Sequence, residues 1–136
     1  IVDHNKKSVF PYDLKSTYDN TIFPFNYIKK KYYIQAGWYS IGVTSFMMNN
    51  GLKDYKLEPY QFISADTSKN NRRPLIYRLN EQHLNDAWEG FSINSSKFRG
   101  IKELVDNIIW ANESKVWNIS KTAYEQNGII ALENYN

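Results

Sequence analysis

The sequence predicts an α/β fold in which a small central mixed sheet, built around the strand that contains Asp13, is flanked by helices. Short runs of β-branched and aromatic residues alternate with turn residues in the first 17 positions and again between 59 and 80. Over 27–50 and 81–112, by contrast, apolar residues recur every three or four positions. We therefore expect two hairpins, a central helix and a later helical segment that packs back on the sheet.

The first hairpin is predicted to join Ile1–Val2 through the polar turn "DHNKK" to a strand within "SVFPYDLKS". Pro11 has no amide hydrogen for a sheet ladder, so it indicates an edge position or a bulge near the end of this strand. The Ser, Thr, Asp, Asn and Pro residues of 16–26 then favour a loop.

A single helix is predicted over 27–50, ending at "NNG". Gln35 and Tyr39 lie one turn apart and therefore point the same way. The residues expected to face the core form the neighbouring stripe: Ile34, Trp38, Ile41, Ser45 and Met48.

The second hairpin is predicted from "PYQFISADTS" and "RPLIYRLN", which are separated by the polar "KNNR". One long helix or two consecutive helices should follow over 81–112, with the break at Ser95–Ser96. A short helix stopped at Asn127–Gly128 and a final extended segment complete the prediction.

Composition limits the class of protein. A chain of 136 residues fits one domain, so we assign 1–136 to a single domain. Its 4 Trp, 11 Tyr and 7 Phe exclude a disordered composition, and no apolar run approaches a membrane span. The absence of cysteine excludes a disulfide framework and a Cys-ligated metal site, and favours a cytoplasmic location. The net charge of +3 permits a polyanionic partner.

Two polar pairs carry the functional signal. Asp13 and Lys15 close the second strand, and Gln35 and Tyr39 lie on the helix that follows. Each is ordinary in isolation: an Asp-x-Lys triplet describes a solvated strand with an ion pair, Gln35 a surface amide and Tyr39 an aromatic at the rim of the core. Their combination in this order favours a catalytic interpretation.

The combination resembles the PD-(D/E)xK nuclease superfamily, in which a hairpin strand carries Asp-x-Lys and, in one large branch, the next helix carries Gln-x-x-x-Tyr. "DLKS" and "QAGWY" match both motifs. The succession of "DLKST", "KKYYIQAGWYSIG" and "YQFISADTS" resembles the phage and prophage recombination exonucleases of the RecE type.

The resemblance implies a restriction-endonuclease-like core and a Mg²⁺-dependent exonuclease, with Mn²⁺ as a substitute metal, that resects linear double-stranded DNA for recombination. It further implies the cytoplasm of a bacterial or phage-infected cell, a homo-oligomer around DNA and an accompanying single-strand annealing protein.

Within that resemblance each residue receives a role. Asp13 and the backbone carbonyl of Leu14 are the expected metal ligands, with the Leu14 side chain in the core and Asp13 and Lys15 on the opposite face. Lys15 should orient the attacking water and offset developing charge. Gln35 is expected to orient the water or the scissile phosphate, and Tyr39 to support Gln35 or touch the DNA backbone.

The remaining polar residues are weaker candidates. Lys29, Lys30 and Lys31 form either a solvated face or a phosphate grip without sequence specificity. His4 and His83 have no second His or Cys at ligand spacing. Three carboxylates near the central strand are interpreted as turn and surface residues: Asp54, Glu58 and Asp66.

One departure from the superfamily pattern leaves a second hypothesis open. The first metal-binding Asp of the superfamily lies on the preceding strand, where this chain offers only Asp3, at the start of the polar turn. On that pattern the expected Asp immediately precedes Ile1, so we expect a C-terminal part of a nuclease domain. The alternative is a catalytically inactive nuclease-fold module that binds nucleic acid or mediates assembly; a carbohydrate-binding module rests only on the 16% aromatic content.

Overall fold

A computed structural model describes residues 1–68 and 72–129 of the chain. In chain order its elements are β1 (Val2–Asp3), β2 (Ser8–Val9), β3 (Tyr12–Thr17), a 3-10 turn (Asn20–Ile22), α1 (Phe23–Lys29), α2 (Tyr32–Asn49), β4 (Lys56–Leu57), β5 (Gln61–Asp66), β6 (Leu75–Arg78), α3 (Glu81–Glu89), β7 (Gly90–Ile93), β8 (Ser96–Arg99), α4 (Ile101–Ser114) and α5 (Lys121–Glu125). The predicted α/β class is confirmed: small mixed sheets are flanked by helices.

The main sheet has the strand order β3-β5-β6. β3 runs parallel to β5, with Asp13 opposite Phe62 and Lys15 opposite Ser64. β5 and β6 are antiparallel, with Phe62 opposite Tyr77, so the second predicted hairpin is confirmed. Most of its predicted turn, residues 69–71, lies outside the described residues.

A smaller sheet of order β1-β2-β4 contains the first predicted hairpin. Val2 pairs with Val9, and β2 runs parallel to β4. Only Phe10 and Pro11 lie between β2 and β3. The interruption arises because proline has no amide hydrogen to donate to a sheet ladder. Pro11 therefore divides the predicted strand into two short ones.

The predicted single helix over 27–50 is wrong at its start. The chain forms two helices, α1 and α2, because Lys31 adopts a left-handed backbone with φ 56° and interrupts the helical path. Pro24 stands in the first turn of α1, where its missing amide hydrogen costs no helical bond.

The predicted core stripe of α2 is also wrong except at Ile34, which is partly buried and packs against the core. Trp38, Ile41 and Met48 are exposed, whereas Ala36 and Gly37 are buried. A Cβ atom at Gly37 would lie 2.6 Å from Ile101 Cδ1, so the backbone of α2 approaches its neighbours too closely for a large side chain. The buried residues of α2 are Tyr33, Ala36, Gly37 and Met47, so the two small ones lie at the point of close approach.

Aromatic rings dominate the core of this part of the chain. Phe62 is fully buried, and its ring lies 5.2 Å from that of Phe23, 5.3 Å from that of Tyr60 and 5.9 Å from that of Tyr27. Since Phe62 lies opposite Asp13 in the sheet, this core covers the face of the sheet that carries Asp13 and Lys15.

The prediction of one long helix or two consecutive helices over 81–112 is wrong in the middle. α3 ends at Glu89 and a hairpin, β7–β8, precedes α4. Its turn residues Asn94 and Ser95 have φ of 45° and 67°, as a tight hairpin requires. Phe91 and Phe98 stack across the strands with ring centres 4.9 Å apart.

The chain divides into two compact units, Ile1–Ile101 and Lys102–Asn136, so the assignment of a single domain stays a prediction. In the second unit the rings of Trp110 and Tyr124 meet edge to face at 5.6 Å. α5 is followed by left-handed Asn127 and Gly128, as predicted, and the predicted final extended segment falls on residues 130–136, outside the described part. None of the helices in the described ranges has both the length and the apolar character to cross a bilayer.

Candidate functional site

Asp13 and Lys15 project from the covered face of β3. Strand alternation places them together, and their side chains retain only 17% and 16% exposure. Leu14 points the other way and is 69% exposed, so the predicted burial of its side chain is wrong. The reason is that the aromatic core lies on the Asp13 face, which leaves the Leu14 face uncovered among the described residues.

The two sequence motifs meet in one hydrogen-bonded network. Lys15 Nζ donates to Gln35 Oε1 at 2.7 Å and lies 2.8 Å from Asp13 Oδ2. Gln35 Nε2 donates to the Tyr39 hydroxyl at 3.0 Å. Gln35 lies in the first turn of α2 and Tyr39 one turn later, so the helix fixes both side chains toward β3. Residues 20 positions apart in sequence are thereby joined.

Lys15 holds its cation in a restricted setting. Its Nζ lies 4.6 Å from the centre of the Tyr32 ring, a distance at which the ring face attracts the ammonium. The contact with Asp13 is an ion pair, whereas the bond to Gln35 meets the geometry of a hydrogen bond. In the free protein the Lys15 ammonium is thus restrained by a carboxylate, an amide and an aromatic ring.

The backbone carbonyl of Leu14 lies on the open edge of the sheet. Pro11 and Thr17 accept hydrogen bonds from Gln61 and Thr67, so the carbonyls of odd-numbered residues in this strand face β5. That of Leu14 therefore faces the opposite edge, where no strand within the described ranges pairs with β3. The carbonyl is available to a ligand, and its role as a metal ligand stays a prediction.

Two further polar residues face the same site and were missed by the sequence analysis. Ser64 is fully buried opposite Lys15, and Tyr60 is 3% exposed. Neither hydroxyl has a hydrogen-bond partner in the described part of the chain. Burial raises the pKa of Tyr60, and the negative charge of Asp13 raises that pKa further. The sequence does contain a signal for both residues. Positions 60, 62 and 64 are two apart, so strand alternation places their side chains on the same face of the sheet as Asp13.

The site offers oxygen ligands that suit a hard cation. Asp13 is half of an ion pair whose Oδ2 forms no hydrogen bond with any described residue, and the Leu14 carbonyl is nearby in sequence. Mg²⁺ is commonly held by one or two carboxylates, with water and substrate oxygens completing its shell. Over 1–68 and 72–129, no cluster of three or more His, Asp or Glu side chains is suited to a metal. Asp13 is thus the one carboxylate of this network that could bind a Mg²⁺ ion, and its role as a metal ligand stays a prediction.

The three lysines lie at the junction that precedes Gln35. Lys29 ends α1, Lys30 follows it, and Lys31 caps α2 four residues before Gln35. All three are exposed, and Lys29 Nζ lies 5.4 Å from the Phe25 ring. Four helical residues advance roughly 6 Å along the axis, so Lys31 stands one turn from the network.

Asp3 does not join this network. It pairs with Ser8 at the turn end of the first hairpin, and its Oδ1 accepts hydrogen bonds from the amides of Asn5 and Lys6. Ser8 belongs to β2, whereas Asp13 belongs to β3 of the main sheet. Asp3 serves the hairpin turn.

The remaining polar candidates have structural partners. Asp66 was predicted to be a surface carboxylate, but its side chain is enclosed at the end of β5, where hydrogen bonds from Ser68 hold its pKa below the usual range. Asp54 is on the surface, paired with Lys7 at 2.6 Å. His83 belongs to the capping box of α3.

His4 and Glu58 complete the set. His4 Nδ1 lies 2.8 Å from the Tyr55 hydroxyl. Glu58 pairs with Lys56 at 2.9 Å, with its own side chain only 18% exposed. Both residues thus stabilise local structure.

Comparison with known proteins gives no match: no family model, curated protein or solved structure is significantly similar to the chain.

Proposed function

We propose that the protein is a metal-dependent deoxyribonuclease of the PD-(D/E)xK type, an exonuclease that resects linear double-stranded DNA. The observation that carries the proposal is the network in which Lys15 contacts both Asp13 and Gln35 while Gln35 contacts Tyr39. A sequence signal in two separate pieces predicted these four residues, and they lie together in space.

The order of elements supports the same proposal. A hairpin leads into β3, α1 and α2 follow, and β5 returns parallel to β3. In this arrangement the strand and the helix that bear the two motifs lie side by side. We propose a restriction-endonuclease-like core for this part of the chain.

The residues divide the chemistry of phosphodiester hydrolysis among them. Asp13 and the Leu14 carbonyl would hold a Mg²⁺ ion, which would supply charge neutralisation and lower the pKa of a bound water. The Lys15 ammonium, fixed by Gln35, approaches a non-bridging phosphate oxygen and offsets the charge that develops there. Gln35 presents its amide to the water or the phosphate, and Tyr39 fixes the rotamer of that amide.

The test is release of nucleotides from end-labelled linear duplex DNA, measured with Mg²⁺, Mn²⁺ or EDTA. We expect release only with a divalent metal, and from a free end in preference to a circular duplex. The 136-residue chain and the longest natural chain that contains it are compared. Release that persists in EDTA, or that is absent from both chains with every metal, contradicts the proposal.

A second candidate function is supported by the limited number of carboxylates. Asp13 is neutralised by Lys15 at 2.8 Å, and the described residues provide no group of three or more acidic or His ligands. A nuclease-fold module that binds DNA without cutting it needs only the basic surface. DNA binding by both chains, without metal-dependent release from either, favours this candidate.

The exposed lysines at the α1–α2 junction give a prediction that applies to either candidate. Changing Lys29, Lys30 and Lys31 together to Gln should weaken DNA binding equally for all sequences, because phosphate contacts carry no base information. Each lost phosphate contact reduces the slope of log K against log salt by about 0.9, so the slope should fall by roughly 2–3.

Fluorescence anisotropy over a range of salt concentrations measures this slope. Changing the exposed pair Lys6 and Lys7 to Gln provides the control, since these lysines lie in the first hairpin turn and pair with Asp3 and Asp54. An unchanged slope in the Lys29–Lys31 variant, or the same loss in the control, would show that the junction does not contact phosphates.

A further inference from the structure

The Tyr60 hydroxyl is a buried polar group that makes no stabilising hydrogen bond within the described part of the chain. Its side chain is 3% exposed, and its oxygen is covered and has no hydrogen-bond partner among the described residues. An unmet hydrogen bond of this kind costs stability, so each case in a native protein calls for an explanation. Packing does not supply one, since Phe would keep the ring contact with Phe62 at 5.3 Å.

The position of Tyr60 suggests what the hydroxyl is for. Tyr60 precedes β5 and shares the covered face with Phe62, which pairs with Asp13. Tyr60 and Asp13 are thus diagonal neighbours on adjacent strands, a separation that a long aromatic side chain can bridge. The phenol hydroxyl of Tyr60 can donate one hydrogen bond, and it has no acceptor among the described residues.

The Asp13 carboxylate, the other member of this pair, depends on Lys15 for its ion-pair partner. Asp13 Oδ2 is covered, and its close partner is Lys15 Nζ at 2.8 Å, without the angles of a hydrogen bond. Tyr39 and Tyr60 also line an open groove of about 540 Å³ beside the site. A phosphate bound by the Lys15 ammonium would compete with Asp13 for it, and Asp13 Oδ2 would then lose this partner.

We infer that Tyr60 is a positioning residue for Asp13: when Lys15 turns to a phosphate, the Tyr60 hydroxyl donates to Asp13 Oδ2 and keeps the carboxylate in place. The inference rests on the proposed function for the identity of the phosphate, but the exchange of partners is a property of the chain alone. Tyr60 touches no reacting atom in this account. Its hydroxyl holds the residue that does.

A double-mutant cycle on stability tests the exchange without any assay of activity. Lys15→Met removes the cation and so leaves Tyr60 as the donor for Asp13. In that background Tyr60→Phe should lower the folded-to-unfolded ratio by roughly 10–100-fold, the value of one hydrogen bond to a charged group. In the natural background Tyr60→Phe should leave this ratio unchanged or raise it, because it removes an unpartnered hydroxyl.

Tyr27 provides a matched control. It is also buried, with a hydroxyl that has no hydrogen-bond partner in the described ranges, but it faces Asp86 and His83 on α3. Tyr27→Phe should give the same small effect in both backgrounds. If Lys15→Met does not fold, Lys15→Gln serves as the second background. The same effect of Tyr60→Phe with and without Lys15 overturns the inference.

Kinetics of DNA cleavage give the second readout. Tyr60→Phe should lower kcat roughly tenfold with KM for DNA unchanged, whereas Tyr27→Phe should change neither. An unchanged kcat in Tyr60→Phe overturns the positioning role. Coupling in the stability cycle, with no cleavage by any form of the protein, supports the contact between Tyr60 and Asp13 and counts against the proposed nuclease function instead.

Discussion

Replacement of Lys15 by Met is expected to lower metal-dependent DNA cleavage by about 10²–10³-fold, the range found when one preorganised donor is removed from a charge-stabilising site. Lys15 is the cation that joins the two motifs: it lies 2.8 Å from Asp13 Oδ2 and donates to Gln35 Oε1 at 2.7 Å. Met keeps the unbranched side chain as far as the ε position and removes the charged ammonium. The rate of nucleotide release at saturating DNA measures the effect, because kcat reports the interaction that is made in the transition state.

Lys29→Met is the matched control for this experiment. It makes the same chemical change at an exposed lysine whose Nζ lies over the Phe25 ring. We expect it to leave kcat unchanged and to weaken DNA binding slightly. Circular dichroism establishes that both variants fold. A kcat within twofold of the natural protein for a folded Lys15→Met would remove the catalytic role of Lys15 and leave the DNA-binding module as the better interpretation.

Part of the network around Lys15 was predictable, because the residue periods of a strand and of a helix do not depend on tertiary context. A strand places Asp13 and Lys15 on one face, and a helix places Gln35 and Tyr39 on one side. Each pair is therefore fixed as soon as its element type is correct. Their meeting was not derivable from spacing, because the contact from Lys15 to Gln35 joins two elements that are 20 positions apart in the sequence.

Periodicity could not predict which face of a strand or helix is buried against the core. Alternation separates Leu14 from Asp13, but which of the two faces the core depends on where the aromatic cluster around Phe62 lies. The same ambiguity affected α2. Trp38 and Ile41 looked like core residues because they are large, whereas the close approach of the helix required the small residues Ala36 and Gly37.

The hairpin between α3 and α4 was missed for a related reason. Phe91 and Phe98 are seven residues apart, a spacing that suits two turns of a helix as well as two facing strands. The signal for the hairpin lay in the turn and in the glycines that bracket it. Asn94 and Ser95 tolerate left-handed φ, and Gly90 has φ 88°, where a residue with a side chain would be strained.

The other large effect is expected on stability, from Gly100→Ala. Gly100 joins β8 to α4, and an added Cβ would fall on the Trp88 carbonyl oxygen and the Gly90 amide nitrogen and lie 2.5 Å from the Glu89 carbonyl carbon. These are backbone atoms, so no side-chain rotation relieves the overlap. The hairpin must shift away from the end of α3, and we expect a loss of roughly 3–5 kcal/mol in the free energy of unfolding.

Gly42→Ala is the matched control, because it makes the same substitution at a position where the added methyl group has room. It therefore distinguishes the steric clash at Gly100 from the general effect of replacing glycine by alanine. Gly42 lies in α2, and nothing stands within 4 Å of an added Cβ atom. Alanine there should raise the free energy of unfolding by about 0.5–1 kcal/mol, because it reduces the entropy lost by the helix. Urea denaturation followed by tryptophan fluorescence measures both variants. The changes in the free energy of unfolding should have opposite signs in the two variants. A loss at both positions would point to a general intolerance of alanine. A neutral Gly100→Ala would mean that β8 and α3 do not meet at Gly100 as closely as the backbone distances indicate.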